Sequence, residues 1–351
     1  MKKNFKIGKI RVGLGEKCFI VAELSGNHAG SLQRAKKLIF KAKQAGADAV
    51  KLQTYTSDTI TLNSDSKDFQ IKSDSPWKRK KNLWNLYQEA QTPWAWHKQL
   101  FTYAKKINIE IFSSPFDETA VDLLKELNCP AYKIASAEIN HIPLLEKVAK
   151  TKKPVILSIG LATKQDITLA VKTLRDNGCN KIIVLQCVSE YPAKIKDQNL
   201  SLIPKIEKNF NVISGLSDHT VGFISALSSV VIGGSVVEKH FNLNDKIKTV
   251  DSFFSIEESS FSKMVKLIRE AENSIGKNLF KYHQSKIKNI NSRRSIYVSK
   301  NIEKGEKLTL KNIKVVRPGY SLHPKYFRRL LGKNALKNLK KGARISLKDI
   351  K

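Results

Sequence analysis

The 351-residue sequence has no apolar run long enough to span a bilayer, so a helical membrane protein is not expected. Its basic start, residues 1–13, lacks a continuous apolar segment and a small-residue cleavage site, so no secretory leader is expected either. Cysteine is scarce. Cys18, Cys129, Cys179 and Cys187 lie far apart with no CxxC, which argues against a disulfide framework and fits a reduced, cytoplasmic setting. Acidic residues are also few: 31 Asp and Glu face 63 Lys and Arg, for a net charge of +32. Taken alone, that excess suggests a polyanionic partner. The lysines are spread along the chain, however, with only short clusters such as Lys78-Arg79-Lys80-Lys81. There is no zinc-finger spacing, RNP-like aromatic motif or long basic arm. Neither nucleic acid nor membrane is therefore the expected partner; a basic mouth for an anionic small substrate is.

What is present is a regular alternation over the first 280 residues. Strands are expected at Cys18–Glu23, Ala49–Gln53, Ile109–Ser113, Ala131–Ala135, Val155–Ile159, Ile182–Cys187, Val212–Leu216 and Ser235–Phe241. Helical spacing fills the gaps, from Leu32–Ala45 and Pro93–Lys106 through Val221–Ile232 to Ser259–Ile275, with apolar residues recurring on one face. Eight βα units in order predict a closed (β/α)8 TIM barrel, of class α/β, rather than an open sheet. Ser57–Thr92 interrupts the pattern after the second strand; loops this long usually cover an active site. From 281 the pattern changes. A polar linker over 281–291 and a small β-rich domain over 292–351 are expected, the latter from alternation at Arg293–Val298 and the turns Ile302-Glu303-Lys304-Gly305 and Leu339-Lys340-Lys341-Gly342.

The chain centres on Gly215–Thr220 and Val236–Phe241, two strands joined by a small apolar crossover. His219 and His240 then end neighbouring parallel strands, where two imidazoles can form a half-site for a divalent metal. Catalytic groups of a TIM barrel gather at the carboxyl ends of its strands. Those ends carry Glu23, then Lys51 and Gln53, Ser113 and Ser114, Lys133, Ser136 and Glu138, Ser158, Gln186, Ser189 and Tyr191, and Ser217. The eighth adds Glu238 and Lys239 beside His240. Charged groups inside a barrel are costly unless paired or used. Two lysines with several serines can hold a phosphate and a carboxylate; Glu23 and Glu138 can move protons; a metal on two histidines can polarise a carbonyl. Together they suit a phosphorylated, carboxylated donor joined to an aldehyde, and phosphoenolpyruvate is such a donor.

Ordered motifs then carry a resemblance. They are Ala22–His28 (AELSGNH), Gly46–Tyr55 (GADAVKLQTY), Tyr132–Glu138 (YKIASAE), Gly215–Thr220 (GLSDHT), Glu238–Phe241 (EKHF), Asp251–Ser255 (DSFFS) and Arg317–Tyr320 (RPGY). The chain resembles the sialic acid synthase family over nearly its whole length. The resemblance implies a TIM barrel followed by an antifreeze-like (SAF) domain in a domain-swapped homodimer. It implies a phosphoenolpyruvate-dependent nonulosonic acid synthase. Lys51, Lys133, Ser136, Ser158 and Ser217 would hold the donor, with Ser114 near them. Ser189 would be a further donor contact, at a position where the family often has Asn. His219 and His240 would bind Mn²⁺, Mg²⁺ or Co²⁺. Glu138 would be the acid/base, while Glu23, Gln53, Tyr191 and Asp251 would help place sugar and metal-bound water. Arg317 would meet the amino sugar from the small domain. The sugar-facing runs ELSGNH, Tyr87–Trp94 and Arg317–Pro324 favour the branch that accepts 2,4-diacetamido-2,4,6-trideoxy-altrose. The alternative is another amino sugar, giving N-acetylneuraminate or legionaminate.

Overall fold

Strands buried on both faces need apolar residues on both, and the first barrel strand shows this. In the computed structural model, which describes residues 4–244, 246–276 and 290–351, all five residues of β3 (Phe19–Glu23) are buried. After it come α1 (Leu32–Gln44), β4 (Ala49–Thr54), α2 (Ser57–Ile60), α3 (Leu83–Ala90), α4 (Trp94–Lys106), β5 (Glu110–Pro115), α5 (Glu118–Glu126) and β6 (Tyr132–Ile134). Then follow α6 (Ile142–Lys150), β7 (Val155–Ser158), α7 (Lys164–Asp176), β8 (Ile182–Cys187), α8 (Leu202–Phe210), β9 (Ile213–Asp218), α9 (Ile224–Val231) and β10 (Val236–Asn242). Each of β3 to β9 pairs in parallel with the next strand in sequence except that the ring is completed by β10, which lies between β9 and β3. That closure is the expected TIM barrel, and its core is one continuous apolar cluster. A two-residue strand, β11 (Ile256–Glu257), adds to the end of β10 and leads into α10 (Glu258–Ile275).

Local chemistry sets the element ends. Ser31 Oγ accepts the Arg34 N–H at the start of α1, Asp117 caps α5, and Thr163 with Asp166 forms a reciprocal capping box on α7. The crossover helix expected from Val221 begins instead at Ile224. Gly222 takes φ +79°, a left-handed conformation that ends helical continuation toward Val221. Pro93 precedes α4 as its cap rather than opening it. Among the described residues no helix is long and apolar enough to cross a membrane. The four cysteines are free and buried.

Two features were not anticipated. The basic start forms an antiparallel hairpin, β1 (Asn4–Ile7) and β2 (Ile10–Gly13), whose Ile7 and Val12 join the barrel core. The 57–92 insertion is partly helical, holding α2 and α3. It is anchored by the Trp77 indole donating to the Val250 carbonyl at 2.8 Å and by the Trp84 indole donating to Asp58 at 2.8 Å.

The chain divides into two compact units, 1–276 and 277–351. The linker expected over 281–291 lies almost wholly outside the described residues. In the second unit β12 (Ser295–Val298) pairs antiparallel with β13 (Ile313–Val316), and a short helix, α11 (Phe327–Leu330), follows. Ile296, Val298, Ile302, Leu308, Ile313 and Leu330 form a separate small core. Gly305 and Gly342 take φ +89° and +86° at the two Lys-Gly turns, where side chains are disfavoured.

Candidate active site

Strand alternation decides which groups meet. On β10, Glu238 and His240 share one face and Lys239 takes the other. Lys239 Nζ is buried 2.8 Å from Asp218 Oδ2, a closed pair apart from the cluster that Glu238 joins. Register places Glu238 opposite Ser217 and His240 opposite Glu23. The result is a buried cluster. Lys51 Nζ lies 2.9 Å from both Glu23 Oε2 and Glu238 Oε1, and Lys133 Nζ lies 3.6 Å from Glu238 Oε1. Ser217 Oγ donates to Glu238 Oε1 at 3.1 Å, and Gln53 Nε2 donates to Glu23 Oε1 at 3.1 Å. Ser114 Oγ accepts from Lys51 at a long 3.5 Å.

Two ammonium and two carboxylate groups in one dry space shift one another. Burial raises the Glu238 carboxyl, but Lys133 and Lys51 outweigh it and hold the group down at about 2. Burial, reinforced by the charge of Glu238, pushes Glu23 upward against the pull of Lys51. Lys51 rises despite burial because both carboxylates touch it, whereas burial lowers Lys133, with Lys51 adding to the effect. Glu138 stands at the edge of this set. Burial raises it to about 7, with Lys133 opposing. A carboxyl poised there can exchange protons near neutral pH.

The two imidazoles converge as expected, with ring centroids 5.5 Å apart. His219 Nδ1 lies 2.8 Å from the Val188 carbonyl. That contact suits a protonated Nδ1 and leaves Nε2 with its lone pair, as in ligating histidines. Burial lowers His219 to about 4 and His240 well below the usual histidine range, so both rings are neutral. His240 Nδ1 is buried with no hydrogen-bond partner. Two neutral, convergent imidazoles, one with an unsatisfied nitrogen, fit a divalent cation. Among the described residues no cluster of three or more His, Cys, Asp or Glu could complete its coordination. Tyr191 packs on His219 at 4.6 Å and Phe254 on His240 at 4.7 Å, walling the pair with aromatic surface. Trp77, from the insertion, reaches Tyr191 at 5.8 Å.

The remaining expected residues are placed as follows. Ser136 Oγ accepts the Leu161 N–H at 2.7 Å, leaving its own proton to donate. Ser158 is buried and its hydroxyl has no partner; nor do Glu138 Oε2 and Glu238 Oε2. Unpaired buried polar atoms are uncommon, and several at one barrel end indicate a polar ligand site. Ser189 lies against Gly160, where an added Cβ would come 2.5 Å from its Oγ. Asp251 is half-buried, and desolvation raises its carboxyl against the opposing pull of Ser25 and the Gly26 N–H. Gly26 has its own reason: a Cβ there would meet Val250 Cγ2 at 2.5 Å and the Ala90 backbone at 3.2 Å. Arg317 is exposed in the second unit, directly after β13. Glu238 is the residue that motif reading undervalued. It lies on the eighth barrel strand and is the acceptor on which Lys51, Lys133 and Ser217 converge. Its position two residues before His240 was the available signal.

Asn27 shows how a motif outside the charged cluster serves it. Its Nδ2 donates to the Phe241 carbonyl at 2.9 Å and to Ser255 Oγ at 2.8 Å, and its Oδ1 accepts from Thr249 at 2.5 Å. The loop that carries Asp251 is thereby pinned to the end of β3.

Comparison with known proteins agrees with this geometry. Residues 38–279 match the NeuB family and residues 293–351 match the SAF domain. The chain is 45% identical to pseudaminic acid synthase of Campylobacter jejuni subsp. jejuni serotype O:2, over 93% of this chain and 95% of that one. It is 36% identical to N,N'-diacetyllegionaminic acid synthase of the same organism, over 93% and 98%. Among solved structures it resembles N-acetylneuraminic acid synthetase from Leptospira borgpetersenii serovar Hardjo-bovis, with a TM-score of 0.72 and 30% identity over 80% of this chain and 93% of that one. With a family match across most of the barrel, a SAF domain behind it, and relatives this similar over nearly their whole length, the chain belongs to the NeuB family.

Proposed function

We propose that the chain condenses phosphoenolpyruvate with 2,4-diacetamido-2,4,6-trideoxy-altrose and water, giving pseudaminate and phosphate. The observation that carries this reading is the buried Lys51–Glu238–Lys133 cluster beside the unpartnered Ser158 hydroxyl, at the catalytic end of the barrel. Lys51 and Lys133 offer charge to the donor's phosphate and carboxylate, and Ser114, Ser136, Ser158, Ser189 and Ser217 offer hydrogen bonds. The altrose-derived acceptor is favoured over its rivals by the 45% identity to a pseudaminic acid synthase, against 36% to a diacetyllegionaminic acid synthase. The alternative, N-acetylneuraminate or legionaminate from another amino sugar, has the weaker support.

In this reading C3 of phosphoenolpyruvate attacks the acceptor aldehyde and positive charge develops at C2. Glu138, poised at about 7, takes a proton from the water that adds there. Phosphate then leaves by C–O cleavage. Glu23 and Gln53, already bonded to each other, orient the acceptor with Tyr191 and Asp251. A divalent ion, Mn²⁺, Mg²⁺ or Co²⁺, would be held by His219 and His240 and would supply Lewis acidity toward the aldehyde oxygen. Arg317 meeting the sugar within a domain-swapped homodimer belongs to the same reading, supported by the likeness of its Arg-Pro-Gly-Tyr run. So do a cytoplasmic location and a functional boundary near residue 280.

The test is a side-by-side assay of the three candidate acceptors, with and without a chelator. Turnover should be fastest with the altrose derivative, and chelation should abolish it. Preference for N-acetylmannosamine would overturn the acceptor assignment, and full activity in chelator would overturn the metal's role.

A further inference from the structure

A large cavity of the barrel unit lies away from the catalytic end. A bowl of about 1050 Å³ opens among the loops that enter the strands at their amino ends. Its wall includes Ala47 and Asp48 at the start of β4, Ile109 and Glu110 at the start of β5, and Pro154 just before β7. Lysines reach it from separate elements: Lys6 and Lys9 from the β1–β2 hairpin, Lys43 from α1, and Lys98 and Lys105 from α4. The loops before β7 and β8 add Lys152, Lys153 and Lys181. Eight of the 22 lining residues are therefore lysine, against 63 Lys and Arg in 351 overall, about twice what composition alone would place there.

The bowl's two acids offset only a small part of this charge. Asp48 Oδ2 is 2.8 Å from Arg269 Nη2 and accepts the Ile20 N–H at 2.8 Å. Glu110 Oε1 accepts the Lys9 backbone N–H at 2.8 Å. Lys9 Nζ donates to Asn108 and Lys43 Nζ to the Ile107 carbonyl, both neutral acceptors. The other six lysines are exposed and have no ion-pair partner among the described residues. Like charges gathered on a concave surface raise the local potential and attract anions. Phe101 is the single aromatic residue in the lining, so there is no stacking platform for a row of bases. Lysine presents a compact, rotatable ammonium suited to phosphate as a point charge. The volume is that of a large small-molecule site, for which roughly 300–1,000 Å³ is usual.

We propose that this bowl binds a compact polyanion carrying several phosphates, at a site separate from the catalytic rim. The claim stands independently of which sugar the enzyme accepts. It is tested on the full chain by titration calorimetry with inorganic tripolyphosphate at moderate salt. The wild type should bind one equivalent saturably. Lys98→Glu/Lys105→Glu/Lys152→Glu should weaken binding by roughly ten-fold or more, with condensing activity and melting temperature unchanged. Lys6→Glu/Lys181→Glu, on other walls, should weaken it as well, which separates loss of charge from local misfolding. Equal affinity in both variants would overturn the proposal, as would unsaturable heats from diffuse binding across the lysine-rich surface. So would loss of binding in Lys133→Ala alone, which would put the anion at the catalytic end. A single-stranded oligonucleotide that binds the bowl more tightly than tripolyphosphate would overturn the compact ligand in favour of nucleic acid.

Discussion

Glu138→Gln should lower turnover by about 10²- to 10⁴-fold, the usual contribution of a positioned acid or base, and should at the same time raise the melting temperature at pH 8. Both effects follow from one observation, that burial lifts this carboxyl to about 7. Its pKa is raised on folding, so the folded chain holds the proton more tightly than the unfolded one. The stability this contributes is fully present below the unfolded carboxylate value, falls as pH rises, and is gone above about 7. Glutamine does not ionise, so the variant should be unchanged relative to wild type at pH 4. It should gain on the order of 2–3 kcal/mol at pH 8. In wild type, activity should rise with pH through a limb near 7 as the base form appears, and that limb should vanish in the variant. Melts at the two pH values and a kcat profile check both statements. A variant less stable at pH 8 would mean the carboxylate is paired and favoured, contrary to this account.

Glu238→Gln should have the opposite effect on stability. Glu238 is held at about 2 by Lys133 and Lys51, burial opposing. Its contribution is therefore present above the ordinary carboxylate value and lost as pH falls toward 2. Removing its charge leaves two buried ammonium groups with only Glu23 to offset them. The expected loss is about 3–5 kcal/mol at neutral pH, shrinking as the acid limb is approached, with activity abolished because both donor-holding lysines lose their anchor. Denaturant midpoints at pH 7 and pH 4 measure it. Adding Lys133→Met should restore part of the stability, since it removes one uncompensated charge. A Glu238→Gln protein as stable as wild type at pH 7 would show that the carboxylate does not neutralise the lysines.

The barrel was legible because each strand is a short apolar run ending in polar residues, and β8 was bounded correctly at Ile182–Cys187. The convergence of His219 and His240 followed from two adjacent parallel strands. Other features depended on contacts remote in sequence. The β1–β2 hairpin reads as a basic tail until Ile7 and Val12 are seen in the barrel core. The 57–92 segment reads as loop because α3 is held by a contact outside it, Tyr87 packing on Tyr55 just after β4 at 5.8 Å. Glu238 and Lys239 are equally charged on paper, and only strand alternation sends one into the catalytic cluster and the other to Asp218. The exposed lysines of the bowl carry no motif at all, since eight residues from five segments meet only after folding.

The central claim is that this barrel end drives water onto C2 of phosphoenolpyruvate and releases phosphate by breaking the carbon–oxygen bond. Its most direct test is phosphoenolpyruvate labelled with ¹⁸O at the bridging position, turned over with the altrose-derived acceptor. The label should be found in inorganic phosphate and not in the sugar acid; recovery of the label in the sugar acid would contradict the account.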